Sequence, residues 1–173
     1  TVIESVPFWS RLDGIAESRW LTGGLSATFV DAAPSTPNRP PVLLVHGMMG
    51  GARQFVGLQA VLSQHGYATC ALTYRGHHSS RPVARLGRTT VQDYLRDALT
   101  ACQHLDGKPI VIGQSMGGAV AAHVLGGLGT PRVSRCVLSA PITPCLTLGT
   151  DNQLGLPAEE QRHTVHQRPD RSE

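Results

Sequence analysis

The sequence predicts an α/β fold in which short strands of a mostly parallel sheet alternate with amphipathic helices. Three observations carry that reading. Val42-Leu-Leu-Val45 and Ile110-Val-Ile112 are short, unbroken apolar runs, the pattern of strands buried on both faces, as in a parallel sheet. Stretches with helical apolar spacing lie between such runs. Gly113-Gln-Ser115-Met-Gly117 joins one of the strands to a small-residue helical segment through a sharp turn with a serine at its apex.

Length and composition set the bounds. One domain is expected from 173 residues, enough to bury a real core. A net charge of +3, scattered and without interleaved aromatics, argues against nucleic acid as a partner. Cys70, Cys102 and Cys136 sit in apolar segments and Cys145 in a loop; with no C-x-x-C pair they read as reduced core thiols, not metal or redox ligands. No apolar run has transmembrane length and no signal peptide is visible, so no stable membrane insertion and a cytoplasmic location are expected. The chain begins at Thr1, which leaves a leader in a longer form open.

Taken in order, residues 1–19 are amphiphilic, with Phe8 and Trp9 as packing anchors. Trp20 to Asp31 reads as a hairpin of early strands turning near Gly23-Gly24, and the proline-rich stretch from Ala32 to Pro41 as a loop. The strand Val42–Val45 ends in His46-Gly-Met-Met-Gly-Gly51, a loop whose backbone amides can point inward. In a functional reading the Met48 N–H is one oxyanion donor and the Met116 N–H, just after the serine, is the other. His46 is assigned to holding this loop, because it precedes the serine whereas the elbow arrangement places its catalytic histidine last. The methionines suit acyl-pocket walls or plain core equally.

Ala52 to His65 carries Phe55, Leu58, Val61 and Leu62 at helical spacing, with Gly66 as its stop. Tyr67–Thr73 is the next strand and runs into the polar turn Tyr74-Arg-Gly-His-His-Ser-Ser80. Adjacent histidines such as His77 and His78 seldom point at one ligand, so no metal site is expected there. Thr90 and Asp93 have capping-box spacing, and the helix they open buries Val91, Leu95, Ala98, Cys102 and Leu105. Asp93 is therefore read as a cap and Asp97 as a solvated helix charge. Gly113 and Gly117 flank Ser115 because any larger side chain on so tight a turn would strike neighbouring backbone. A Gly-Lys-Ser/Thr ending is missing, so the turn is not a phosphate loop. The helix from Met116 runs to Gly126-Gly127 with His123 as a hydrogen-bonded packing residue, and Val133–Ala140 is a further strand.

Together, the HGMMGG loop, the YRGHHSS turn (similar to D-x-R-G-H-G-x-S) and the GQSMGG elbow make residues 42–140 resemble the α/β-hydrolase fold. The elbow is similar to that of lysophospholipase, monoglyceride-lipase and esterase-like members. The resemblance implies a three-layer α/β/α architecture with helices on both faces of the sheet. It also implies a mechanism. Ser115 attacks an ester or related acyl carbonyl of a small-molecule substrate, the Met48 and Met116 amides hold the oxyanion, and a histidine oriented by a carboxylate takes the proton. No cofactor or metal is implied.

The acid and the base of such a triad follow two further strands, each with its helix needing roughly 30 residues. Only residues 141–173 remain, rich in Gln, Arg, His and Pro. The expectation is therefore an incomplete, C-terminally truncated hydrolase: a core over 1–145 bearing the nucleophile, and an irregular or disordered tail over 146–173. Among Asp151, Glu159, His163 and His166, the pair Asp151 and His166 stands in the right order for acid and base. An inactive fragment or pseudoenzyme is the alternative, as is an acyltransferase or cofactor-free haloperoxidase on the same scaffold. Without a neighbour, the strand Val133–Ala140 would leave a bare edge, and self-association through that edge is expected.

Overall fold

The computed structural model describes residues 14, 16–126 and 133–139. Phe8, Trp9, Asp151, His166 and the expected boundary near residue 145 lie outside them.

Six strands form one sheet in the order β1-β2-β4-β3-β5-β6. β1 (Glu17–Leu21) and β2 (Leu25–Val30) make the early hairpin, paired Trp20 to Ser26 and Leu21 to Leu25. Its first strand starts three residues before the expected Trp20. β2 also pairs antiparallel with β4 (Thr69–Thr73), and from there β3 (Val42–Val45), β5 (Ile110–Gln114) and β6 (Arg135–Ser139) are parallel. All four residues of β3 are buried, as its unbroken apolar run requires of a central strand.

Helices cover both faces. α2 (Val91–Cys102) and α3 (Met116–Gly126) pack on one face, where Leu43, Val45, Leu72, Val111, Ala98 and Val120 form the main core. Burying a leucine such as Leu43 stabilises by roughly 1.5–3 kcal/mol. The capping box of α2 is present as read: the Thr90 hydroxyl accepts from the Asp93 N–H, and the Asp93 carboxylate accepts from the Thr90 N–H. On the opposite face a smaller cluster of Val42, Leu44, Ala52, Phe55 and Ala71 lies under a 3₁₀ turn (Ala52–Phe55) and α1 (Val56–Gln64).

α1 departs from the expected stripe. Leu58 and Val61 are 40% and 50% exposed, whereas Gln59 is fully buried. The reason is a hydrogen-bond set. Gln59 Nε2 donates to the Thr28 carbonyl (3.0 Å) and to Thr69 Oγ1 (3.1 Å), and its Oε1 accepts from the Thr28 hydroxyl (3.0 Å). Those partners rotate the polar side chain inward and carry the two aliphatic ones outward.

β6 is the edge of the described sheet, with Val137 and Leu138 about half exposed. Among the described residues no helix is long and apolar enough to cross a membrane.

Candidate active site

β5, hydrogen-bonded between β3 and β6, delivers the chain to Ser115 at the sheet's C-terminal edge. Ser115 adopts φ +54°, a left-handed conformation that serine seldom takes. The neighbours over-determine it. A Cβ at Gly113 would lie 2.2 Å from the Gly117 carbonyl oxygen, and one at Gly117 would lie 2.4 Å from that of Val45. Both glycines are therefore steric requirements of the turn, as the G-x-S-x-G spacing predicts. The Ser115 N–H donates to the Ser139 carbonyl at the end of β6 (2.9 Å), and the Gly118 N–H donates back to the Ser115 carbonyl (2.9 Å). The serine is partly exposed, with α3 beginning at the next residue. The first-turn amides of that helix favour negative charge beside the hydroxyl.

The loop after β3 lies directly against it. A Cβ at Gly47 would be 3.0 Å from Ser115 Cβ and 3.4 Å from its Oγ. His46, fully buried, sets the loop's orientation. Its Nε2 accepts the Tyr74 N–H (3.1 Å), so the proton resides on Nδ1, which donates to the Gly47 carbonyl (2.6 Å). Burial pushes the imidazole pKa down to about 4, so the ring is neutral at pH 7. The Gly47 carbonyl also accepts the Gly50 N–H (3.2 Å). Because a trans peptide points its N–H opposite to its C=O, pinning the Gly47 carbonyl toward His46 aims the Met48 N–H the other way. Among the described residues no acceptor takes the Met48 or Met116 N–H. The Met48 and Met49 side chains are 67% and 84% exposed, so neither is core. A side-chain bridge ties loop to elbow: Gln54 Nε2 donates to Gln114 Oε1 (2.5 Å).

The turn after β4 is a structural hub. Asp97, expected to be solvated, is 2% exposed. It accepts from Arg75 Nε (3.0 Å), Arg75 Nη2 (2.7 Å) and the Arg75 N–H (3.0 Å), a fork that holds the turn on α2. The reading fails because Tyr94, Asp97 and Ala101 share one face of α2, the buried one. That i, i+3, i+7 spacing was the signal available in the sequence. His77 is buried among His46, Tyr74 and Tyr94, its Nδ1 3.0 Å from the Arg75 carbonyl. His78 is exposed at φ +39° and lies over Gly51, so the two histidines diverge. Among the described residues no cluster of metal-ligating side chains occurs. His123 Nδ1 donates to the Ala119 carbonyl one turn back (2.6 Å), the packing role assigned to it. Burial raises the Cys70 thiol pKa, leaving it inert.

Of the residues singled out in the sequence, Ser115, Met116 and the Gly47-Met48 peptide come together here. Asp151 and His166 lie outside the described residues. The Gln54–Gln114 bridge has no sequence signature, since Gln114 fills the unspecified position of G-x-S-x-G and Gln54 lies outside any motif.

Comparison with known proteins agrees with this fold. The family model for the alpha/beta hydrolase fold matches residues 40–162. The chain is 34% identical over 122 residues to a non-heme chloroperoxidase of Kitasatospora aureofaciens, covering 69% of this chain and 43% of that protein. It is 32% identical over 119 residues to a magnesium-chelatase 30 kDa subunit of Rhodobacter capsulatus, covering 68% and 40%. Among solved structures, a probable hydrolytic enzyme of Pseudomonas aeruginosa superposes with a TM-score of 0.57 at 28% identity, over 73% of this chain and 41% of that one. The chain thus spans less than half the length of these relatives.

Proposed function

The chain belongs to the alpha/beta hydrolase fold family, and from that premise we propose that it is a serine hydrolase acting on carboxylic ester or related acyl bonds. Ser115 is the nucleophile, and the Met48 and Met116 N–H groups are the oxyanion donors. The observation that carries this reading is the left-handed Ser115 at a strand–helix apex, with the Gly47-Met48 peptide packed against it. Strain of this kind costs about 1–3 kcal/mol and persists where the surroundings enforce it, commonly at sites of reaction.

In the proposed reaction Ser115 Oγ attacks the acyl carbonyl carbon. Its oxygen becomes an oxyanion facing the two amides, the alcohol leaves with a proton, and water releases the acyl group. The proton shuttle is not His46, whose two ring nitrogens are committed to Tyr74 and Gly47. In the family pattern the base follows two further strands; within this chain the late candidates in the order acid, then base, are Asp151 and His166. The G-x-S-M-G-G form of the elbow supports a lysophospholipase-, monoglyceride-lipase- or esterase-like substrate.

Labelling by a fluorophosphonate probe tests this directly. Fast labelling lost by at least about 10³-fold in both Ser115→Ala and His166→Ala would place the base in this chain, whereas absent or very slow labelling would leave the elbow without its base, as the truncated reading expects. Labelling that survives Ser115→Ala would overturn the nucleophile, and labelling that survives His166→Ala would move the base elsewhere.

A further inference from the structure

Beside the elbow, a groove of about 760 Å³ opens between the hairpin and the 49–54 segment. Its floor is one face of the sheet. Trp20, Ser26 and Thr73 form a cross-strand row, register partners on β1, β2 and β4. Most of the floor's polar groups are engaged: Ser26 Oγ accepts from Ser79 (2.8 Å), Thr28 Oγ1 donates to Gln59, and Thr73 Oγ1 accepts the Ala52 N–H (3.0 Å). Among the residues lining the groove, Trp20 (68%) and Met49 (84%) are exposed large apolar residues, and Arg53 is an exposed cationic one. Arg19 lines the rim by its backbone position, but its guanidinium turns to the other face, over the Phe29 ring and toward Glu17. Arg53 has no ion-pair partner among the described residues, and no Asp or Glu lines the groove. His78 lies over Gly51, where a Cβ would be 2.5 Å from the ring, so the glycine keeps this wall low.

We propose that this groove binds an amphiphilic carboxylate, with its apolar part against Trp20 and Met49 and its carboxylate on Arg53. The charge asymmetry selects the anion, and the indole face with the flexible methionine selects an alkyl or aryl body. The Gln54–Gln114 bridge makes the groove's inner wall continuous with the residue before Ser115. The bound group is accordingly the non-reacting, acid-bearing end of an acyl substrate. That last step rests on Ser115 as nucleophile; the binding itself does not.

Trp20 provides the readout. In a Trp9→Phe chain, the emission of Trp20 is titrated with 4-phenylbutyrate and with its neutral counterpart 4-phenyl-1-butanol. A saturable change with the acid is expected, weaker for the alcohol by roughly fivefold, the upper range for one exposed ion pair, and weaker at raised salt. Arg53→Gln should remove that fivefold preference while leaving the alcohol's affinity unchanged. No saturable response, equal binding of acid and alcohol, or a preference that survives Arg53→Gln would each overturn the proposal. Fluorophosphonate labelling of the same sample separates the two readings: labelling without binding removes the groove alone, and binding without labelling removes the activated serine, nucleophile with base, and leaves the groove.

Discussion

The two faces of the sheet bury polarity in different ways. Under α2 and α3 the core is a broad apolar cluster interrupted by one charge, Asp97, matched by the Arg75 fork. Under α1 the apolar cluster is small, and a neutral amide, Gln59, fastens the helix to β2 and β4. A charge inside an apolar layer is tolerated only when fully paired, whereas an amide can serve as the main attachment of a helix with little buried carbon. The first arrangement sits below the reacting edge and fixes Tyr74, whose N–H in turn holds His46. The second lies away from that edge and only clamps the layers.

Breaking the ionic member should have the largest effect. Asp97→Ala leaves the partly buried guanidinium only its 3.3 Å contact with Asp93 and orphans the Arg75 N–H, and a loss of about 3 kcal/mol is expected, read as a lower urea midpoint at unchanged slope. Asp97→Leu combined with Arg75→Met replaces the pair with carbon and should recover much of that loss. A double variant as unstable as Asp97→Ala would mean that the turn needs the pair's geometry and not merely its neutrality. The neutral member is the next step down. Gln59→Leu keeps the volume but leaves the Thr28 and Thr69 groups without their amide, and a cost of about 1–3 kcal/mol is expected in the same measurement. A stabilised Gln59→Leu chain would erase the contrast between the faces.

The same contrast explains what was legible in the sequence. Periodicity reports carbon burial. The β3 and β5 runs, the α2 stripe through Leu95, Ala98 and Cys102, and the Thr90–Asp93 cap all read directly. So did the need for glycine at 113 and 117, because G-x-S-x-G encodes a steric demand on two positions. Asp97 misled because a charge was equated with solvent, and the α1 stripe misled because Gln59 went unread; the partners of Asp97 and Gln59 lie 22 and 31 residues away in the chain, beyond any local pattern. The His46 bridge was legible only as a role. Which atoms it joins depends on the β3–β4 register, which the sequence does not state.

The smallest effect bears on the outer surface of α1. With Gln59 turned inward, Leu58 and Val61 face outward, and a helix held by its amide does not need them for attachment. Leu58→Ser together with Val61→Thr should therefore change stability by less than about 1 kcal/mol, whereas the same exchange at Leu95 of α2 should cost several times as much. The denaturation midpoints of the two variants decide it. A large loss from the α1 pair would mean that this face is packed against something, and the asymmetry between the two helices would then lie in what covers α1 instead of in how Gln59 holds it.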